Sequence, residues 1–122
     1  MAKQNRWVLL EHTGSPDDPA GKHFDLLLED IHGCRSWRLA QMPSLDGPSQ
    51  EAIPLSIHRL EWLEIKAGPV SSSRGWARRV LAGIFCGELP KNYSDPVHIQ
   101  IHSKEIVGNL EIKNFLCKII SV

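Results

Sequence analysis

Apolar and polar residues alternate along much of this chain, and this pattern constrains its fold more than any other feature. The alternation is clearest in residues 97–102 and is also visible in residues 23–29. Residues two apart in a strand project from the same face, so a period of two predicts strands with one apolar face. Turn signals interrupt the pattern about every dozen residues, as in sandwiches and barrels. The 122 residues therefore predict a mainly β fold, a small antiparallel β-barrel with long loops and little helix, in a single domain spanning residues 1–122.

Turn signals set the bounds of the predicted strands. The predicted strands are 6–12, 23–29, 35–40, 57–65, 76–81, 97–102, 106–112 and 115–120. Between them we expect loops at 13–22, 42–54 and 66–75, and an irregular or strand-like segment at 85–95. The prolines and glycines of these segments are typical of turns rather than of regular structure.

Charge and cysteine usage limit the partners and the compartment. Fourteen basic residues balance fourteen acidic ones, whereas proteins that grip nucleic acid along a groove usually carry excess positive charge. If the protein binds a polynucleotide, we therefore expect it to contact the polynucleotide at one point, such as an end. The apolar run 7–10 is too short for a signal sequence or a membrane span. Three cysteines without CxxC spacing indicate reduced thiols in a cytoplasmic protein; a zinc site built from them is the alternative. We expect a monomer.

The chemistry concentrates in a candidate metal site formed by His12, His23 and Asp25. His23 and Asp25 share one face of the second predicted strand with Glu29, which could steer a ligand, and His12 ends the preceding strand. Two imidazoles and a carboxylate suit a divalent ion with open coordination positions, manganese better than a closed structural zinc. We expect this site at the mouth of the barrel. Surface histidines produce the same spacing, so the pattern alone leaves both interpretations open.

Two further features could act on a phosphate. His58, in the predicted strand 57–65, could donate a proton or contact a developing oxyanion, because imidazole titrates near neutral pH. The loop 68–75 offers backbone N–H groups, hydroxyls and the guanidinium of Arg74, which could cradle a phosphate. A histidine at a strand start that faces water, and an ordinary hairpin connection, are the respective alternatives.

The remaining prominent residues are given structural roles. Asp17 and Asp18, in the first long loop, are expected to be solvated. Trp7, Trp37 and Trp76 are expected to belong to the core or the rim of the barrel.

The order of these residues resembles the 3′-phosphoesterase domain of bacterial DNA ligase D, and especially its short free-standing relatives. The likeness extends from about residue 6 to the closing hairpin. It is carried, in order, by His12, His23-Phe24-Asp25-Leu26-Leu27-Leu28-Glu29, Ser36-Trp37, His58-Arg59-Leu60-Glu61-Trp62 and Gly68-Pro69.

The resemblance implies a small β-barrel that uses Mn²⁺ to trim nucleic-acid 3′ ends in DNA repair, removing a terminal ribonucleoside and then the 3′-phosphate. His12, His23 and Asp25 match the family's metal ligands, and His58 matches a histidine at the scissile phosphate. The implied partners are a nucleic-acid 3′ end or a small phosphoester, together with a separate ligase or polymerase, since this chain contains neither activity.

Three departures from the family pattern define a second hypothesis. Leu27 stands where the catalytic members have a phosphate-binding arginine, and Trp62 stands where they have an active-site tyrosine. The loop between His12 and His23 is also longer than in the ligase-attached forms. Arg74 or Arg38 could replace the missing positive charge. The alternative to a phosphoesterase is therefore a metal-binding or DNA-end-binding module that has lost turnover.

Overall fold

Strands account for nearly all the regular structure in the computed structural model, which describes residues 4–122. The strands are β1 (Asn5–Thr13), β2 (Lys22–Glu29), β3 (Cys34–Leu39), β4 (Gln50–His58), β5 (Ala67–Pro69), β6 (Trp76–Cys86), β7 (Val97–Ser103), β8 (Val107–Lys113) and β9 (Leu116–Ile120). The single helical element in the described part of the chain is a 3-10 turn, Leu60–Leu63.

Eight of the strands close into a ring, which confirms the predicted antiparallel barrel. Hydrogen-bonded neighbours follow the order β1-β2-β3-β4-β9-β8-β7-β6, and β6 pairs back with β1. The short β5 lies outside the ring and pairs with the start of β6. The joint between β4 and β9 is short, since it pairs only Gln50 with Cys117 and Glu51 with Leu116.

The interior of the ring is the main hydrophobic core. Every ring strand contributes to it at alternate positions, as the period of two requires. Trp7 and Trp37 are buried there, whereas Trp76 is half-exposed; the prediction of core or rim tryptophans is confirmed.

A second, smaller apolar cluster covers the opposite face of β1 and β2. Val8, Leu10 and the fully buried Leu27 pack there against Trp62 and Leu63 of the 3-10 turn. Both faces of β2 are therefore buried. This second layer matters for function because His23 and Asp25 lie on the same face of β2 as Leu27.

The predicted strand 57–65 is wrong. The strand lies earlier, in Gln50–His58, and the chain then forms the 3-10 turn, so the predicted loop 42–54 ends at residue 49. Pro54 made this segment resemble a loop. A proline is tolerated here because β4 pairs with β9 only at residues 50 and 51, which leaves one side of the strand as a free edge.

Two other boundaries also move. The predicted loop 66–75 contains the short strand β5, which pairs with β6. Strand β6 extends beyond the predicted end at residue 81 to Cys86, into the segment expected to be irregular or strand-like, because its last residues pair with β7.

The three cysteines are free thiols, as predicted. Cys34 and Cys117 are buried, and burial raises the pKa of the first to about 11 and of the second to about 12. They therefore behave as small apolar residues at neutral pH. Within residues 4–122, no helix has the length and apolar character needed to cross a membrane.

Candidate metal centre

Pairing of β1 with β2 brings the predicted metal ligands together. His12 lies directly opposite His23, and Leu10 lies opposite Asp25. The ring centroids of the two histidines are 4.6 Å apart, and one donor atom from each of His12, His23 and Asp25 lies within 4.8 Å of the other two. The expected position at the mouth of the barrel is wrong. The cluster lies on the face of the sheet that points away from the main core, next to the second apolar cluster.

Each imidazole is oriented by a hydrogen bond on its outer side. His23 Nδ1 lies 2.8 Å from Asp18 Oδ2, and His12 Nε2 lies 2.7 Å from the backbone carbonyl of Arg74. A carbonyl and a carboxylate only accept hydrogen bonds, so these two ring nitrogens carry the hydrogens. In the neutral imidazole, the other nitrogens, His12 Nδ1 and His23 Nε2, carry the lone pairs that can bind a metal.

Both lone-pair nitrogens face the carboxylate of Asp25. His23 Nε2 lies 3.2 Å from Asp25 Oδ1, and His12 Nδ1 lies 3.2 Å from Asp25 Oδ2. All three residues are buried, with exposed fractions of 3% to 8%. His23 Nε2 and Asp25 Oδ1 have no hydrogen-bond partner. His12 Nδ1, by contrast, lies within hydrogen-bond distance of Asp25 Oδ2. Buried polar atoms without partners are costly, and a cation between His23 Nε2 and Asp25 Oδ1 would remove the cost.

Donor type and spacing also fit a divalent metal. Two ligands that are each about 2.1 Å from a metal, at right angles to one another, are about 3 Å apart. Two nitrogens and one carboxylate form a mixed set that leaves coordination positions open.

Asp18 is part of this centre, so the expectation that it is solvated is wrong. Its side chain is only 10% exposed and accepts a hydrogen bond from His23. The β1–β2 loop holds it in place, because Asp18 also accepts from the backbone N–H of Ala20 and its own N–H donates to the carbonyl of Ser15. A local sequence pattern could not reveal this contact, because it depends on how the loop folds back onto β2.

We expect Asp18→Ala to lower the affinity for Mn²⁺ roughly 10- to 100-fold, since partners that orient a ligating histidine typically contribute that much. Mn²⁺ affinity can be measured from the EPR signal of the free ion. The stability of the Asp18→Ala variant to unfolding in EDTA shows whether the substitution has damaged the loop itself. Unchanged affinity in a folded variant would show that Asp18 does not orient His23.

A cleft of about 320 Å³ opens beside Asp25. Its lining brings together residues from β3, β4 and two loops, and it includes the predicted His58 and Arg74. The polar lining residues are Ser15, Asp17, Asp25, Arg38, Ser56, His58, Arg59, Ser71 and Arg74. Three arginines, a histidine and two aspartates thus surround this space, and one of the aspartates is the candidate metal ligand Asp25.

His58 ends β4 and projects into this cleft. Its Nδ1 lies 3.2 Å from the carbonyl of Ser56, so Nδ1 carries the hydrogen and Nε2 is left as an acceptor. Burial lowers the pKa of His58; the charge of Asp25 and the hydrogen bond to the Ser56 carbonyl oppose this shift, and the charge of Arg74 adds to it. The neutral imidazole is therefore favoured near pH 7.

The two positions that depart from the family pattern lie together. Leu27 is fully buried in the second apolar cluster with Trp62, which is only 8% exposed and lies on the 3-10 turn rather than on a strand. Glu29, expected to steer a ligand, instead accepts hydrogen bonds from the backbone and side chain of Arg6. It lies two register positions beyond Leu27, away from the metal ligands.

The fold and the site define an antiparallel β-barrel with a buried His/His/Asp cluster on its outer face and an arginine-lined cleft beside that cluster. A scan against models of known protein families finds no match for the chain, and a search of curated proteins finds no similar sequence.

Proposed function

We propose that this protein is a manganese-dependent phosphoesterase that acts at nucleic-acid 3′ ends, as a free-standing relative of the 3′-phosphoesterase domain of DNA ligase D. One observation carries the proposal. Each oxygen of the buried Asp25 carboxylate has an imidazole nitrogen 3.2 Å away, and one facing pair, His23 Nε2 and Asp25 Oδ1, has no hydrogen-bond partner, so a cation there would satisfy both atoms. The three arginines of the cleft next to it suit a phosphate.

His12 Nδ1, His23 Nε2 and the Asp25 carboxylate would hold the ion. When bound, Mn²⁺ supplies a Lewis acid that polarises a phosphoryl oxygen and acidifies a water. Asp18 and the Arg74 carbonyl keep both rings in the ligating orientation through their hydrogen bonds.

His58 and Arg74 act on the substrate from the walls of the cleft. Neutral His58, with Nδ1 committed to Ser56, presents Nε2 to accept a proton from the attacking hydroxyl or water. This role replaces the expected proton donation, because a lowered pKa disfavours the imidazolium. The Arg74 guanidinium stabilises negative charge on the phosphoryl group. Its contact with the candidate metal centre is made by the backbone carbonyl, and its guanidinium lines the cleft with Nε donating to the carbonyl of Ser71.

A terminal phosphate is the substrate that fits these charges best. The net charge of the chain is zero, and the arginines near Asp25 are gathered in one cleft. Positive charge at one point favours an end over a long backbone contact.

A module that binds metal or DNA ends without turnover is the second candidate, and the Leu27–Trp62 packing favours it. Leu27 is fully buried and has no polar atom in its side chain, and Trp62, which lines the cleft, has no hydroxyl. Loss of one preorganised contact to a transition state commonly costs about 10²- to 10³-fold in rate.

A direct assay separates the two candidates. Purified protein with Mn²⁺ is given a 3′-phosphorylated primer-template, a primer with a 3′ ribonucleotide and a chromogenic phosphodiester. His23→Ala tests the metal centre, and His98→Ala, at an exposed position of β7, is the matched control. Product release that His23→Ala abolishes and His98→Ala retains supports the enzyme. Mn²⁺ binding without release supports the binding module, and absence of both refutes the metal centre.

If His58 is the proton acceptor, activity should fall with decreasing pH as His58 becomes protonated. Because its pKa is lowered from the ordinary value of 6.5, the acid limb of kcat/KM should have its midpoint below 6.5. His58→Gln should remove this limb and most of the activity, whereas His98→Gln should leave both unchanged. A midpoint above 6.5, or a limb that persists in His58→Gln, would contradict the role.

A further inference from the structure

Arg38 lies next to the candidate metal ligand Asp25 and also lines the cleft. It lies on β3 directly opposite Asp25 of β2, so both side chains project from the same face of the sheet. It lines the cleft together with Asp25. Its Nε is buried and has no hydrogen-bond partner. In residues 4–122, four buried side-chain nitrogens and oxygens lack partners, and three of them belong to His23, Asp25 and Arg38.

The other two arginines of the cleft are less suited to hold a ligand tightly. Arg59 is 69% exposed and lies 3.8 Å from Glu61. Arg74 already donates its Nε to the carbonyl of Ser71 at 3.2 Å. The Arg38 side chain is only 24% exposed, so a contact made there is better shielded from water.

Asp17 is the ionic partner of Arg38. Its Oδ2 lies 3.5 Å from Arg38 Nη2, and its Oδ1 accepts a hydrogen bond from the hydroxyl of Ser15. The Asp17 side chain is 73% exposed, on the β1–β2 loop. An ion pair of this length with an exposed partner is weak, so a ligand with better geometry can displace it.

We propose that Arg38 binds the phosphoryl oxygens of the substrate and that the Asp17 carboxylate takes their place in the substrate-free protein. The inference rests on the proposed function and specifies how the cleft recognises phosphate. Arg38 brings a guanidinium to the cleft from β3, directly opposite the candidate metal ligand Asp25. A planar guanidinium can bind two phosphoryl oxygens at once.

Two substitutions should act in opposite directions on the affinity for inorganic phosphate, measured by calorimetry on the Mn²⁺-loaded protein. Arg38→Ala should weaken binding about 10- to 100-fold, the usual contribution of a charge-assisted hydrogen bond. Asp17→Asn should strengthen it several-fold, because the competing carboxylate is removed. In the Arg38→Ala background, Asp17→Asn should have almost no further effect on phosphate affinity. The carboxylate and the phosphate then have no Arg38 guanidinium for which to compete.

Arg78→Ala is the matched control. Arg78 also lies on a strand and is paired with an acid, with its Nη2 3.1 Å from Glu11 Oε1, but it does not line the cleft. Arg38→Lys keeps the positive charge but lacks the planar guanidinium, so it should lose an intermediate amount of phosphate affinity. This variant provides a second test if the alanine variant misfolds.

Mn²⁺ affinity, followed by EPR for every variant, separates this proposal from the proposed function. Failure of the unsubstituted protein to bind Mn²⁺ would refute the metal centre itself. If Mn²⁺ binds and Arg38→Ala holds phosphate as well as Arg78→Ala does, the Arg38 subsite is refuted and the metal centre stands. Weaker phosphate binding in Asp17→Asn would refute the competition by Asp17.

Discussion

Asp25→Asn is expected to abolish stabilisation by Mn²⁺ and, at the same time, to make the metal-free protein more stable. The carboxylate oxygens lie 3.2 Å from two imidazole nitrogens in a buried site, and one of these pairs, His23 Nε2 and Asp25 Oδ1, has no hydrogen-bond partner. An amide of the same shape carries no charge, and its NH₂ group can donate to one of these nitrogens. The substitution therefore removes an electrostatic conflict as well as a metal ligand.

The magnitudes make both effects measurable. Free Mn²⁺ at 100 times its Kd stabilises a native protein by about 2.7 kcal/mol, which is about 10 °C in Tm for a domain of this size. Asp25→Asn should show no such shift. Its metal-free Tm should rise by about 4–8 °C, since satisfying a buried acceptor contributes roughly 1–2 kcal/mol.

Thermal unfolding at pH 8 in EDTA and in Mn²⁺ tests this prediction, because imidazole is ordinarily neutral at that pH. Asp95→Asn, at an exposed position of the β6–β7 loop, controls for the change in net charge. A Tm below that of the unsubstituted protein in EDTA, or a retained response to Mn²⁺, would show that the three side chains do not form a cation site.

Gly75→Ala is expected to destabilise the protein and to disrupt the metal centre by displacing the backbone next to it. Gly75 has a φ of +97°, and a Cβ atom there would lie 2.0 Å from the carbonyl oxygen of Thr13. Backbone must therefore move at the residue that follows Arg74, whose carbonyl orients His12. We expect a loss of about 3 kcal/mol or more in the free energy of unfolding, from backbone strain together with the steric clash.

Gly21→Ala is the matched control for this effect. Gly21 also has a positive φ, +82°, but a Cβ there would meet nothing within 4 Å. It should cost about 1–2 kcal/mol, the conformational penalty alone. Urea unfolding gives both free energies, and EPR gives the Mn²⁺ affinity. Equal losses in the two variants, or full Mn²⁺ affinity in Gly75→Ala, would contradict the link between this turn and His12.

The barrel was predictable because strand periodicity is a local property. Alternation in residues 97–102 and 106–112 can be recognised without knowing which strands lie beside them. No end of the observed β7 or β8 differs from these bounds by more than one residue. The prediction was wrong at β4, where Pro54 resembled a loop. Its position on a strand edge depends on how little of β4 pairs with β9, and the sequence of β4 alone does not reveal that.

The candidate ligand set was predictable for a similar reason. His23 and Asp25 are two residues apart on one strand, so they share a face wherever that strand lies. His12 required one further assumption, that β1 lies beside β2. The longer loop between His12 and His23 concealed Asp18, because a contact between residues five apart depends on the loop conformation.

The sequence by itself therefore determined the architecture and which three side chains could meet, because both follow from a repeat of two residues along single strands. Tertiary structure alone decided which face the cluster occupies, and it brought Asp18, the Arg74 carbonyl and Arg38 to it. Those contacts depend on strand register and on loop packing between residues distant in sequence. The same non-local packing buries Leu27 against Trp62 and leaves Arg38 as the guanidinium opposite Asp25.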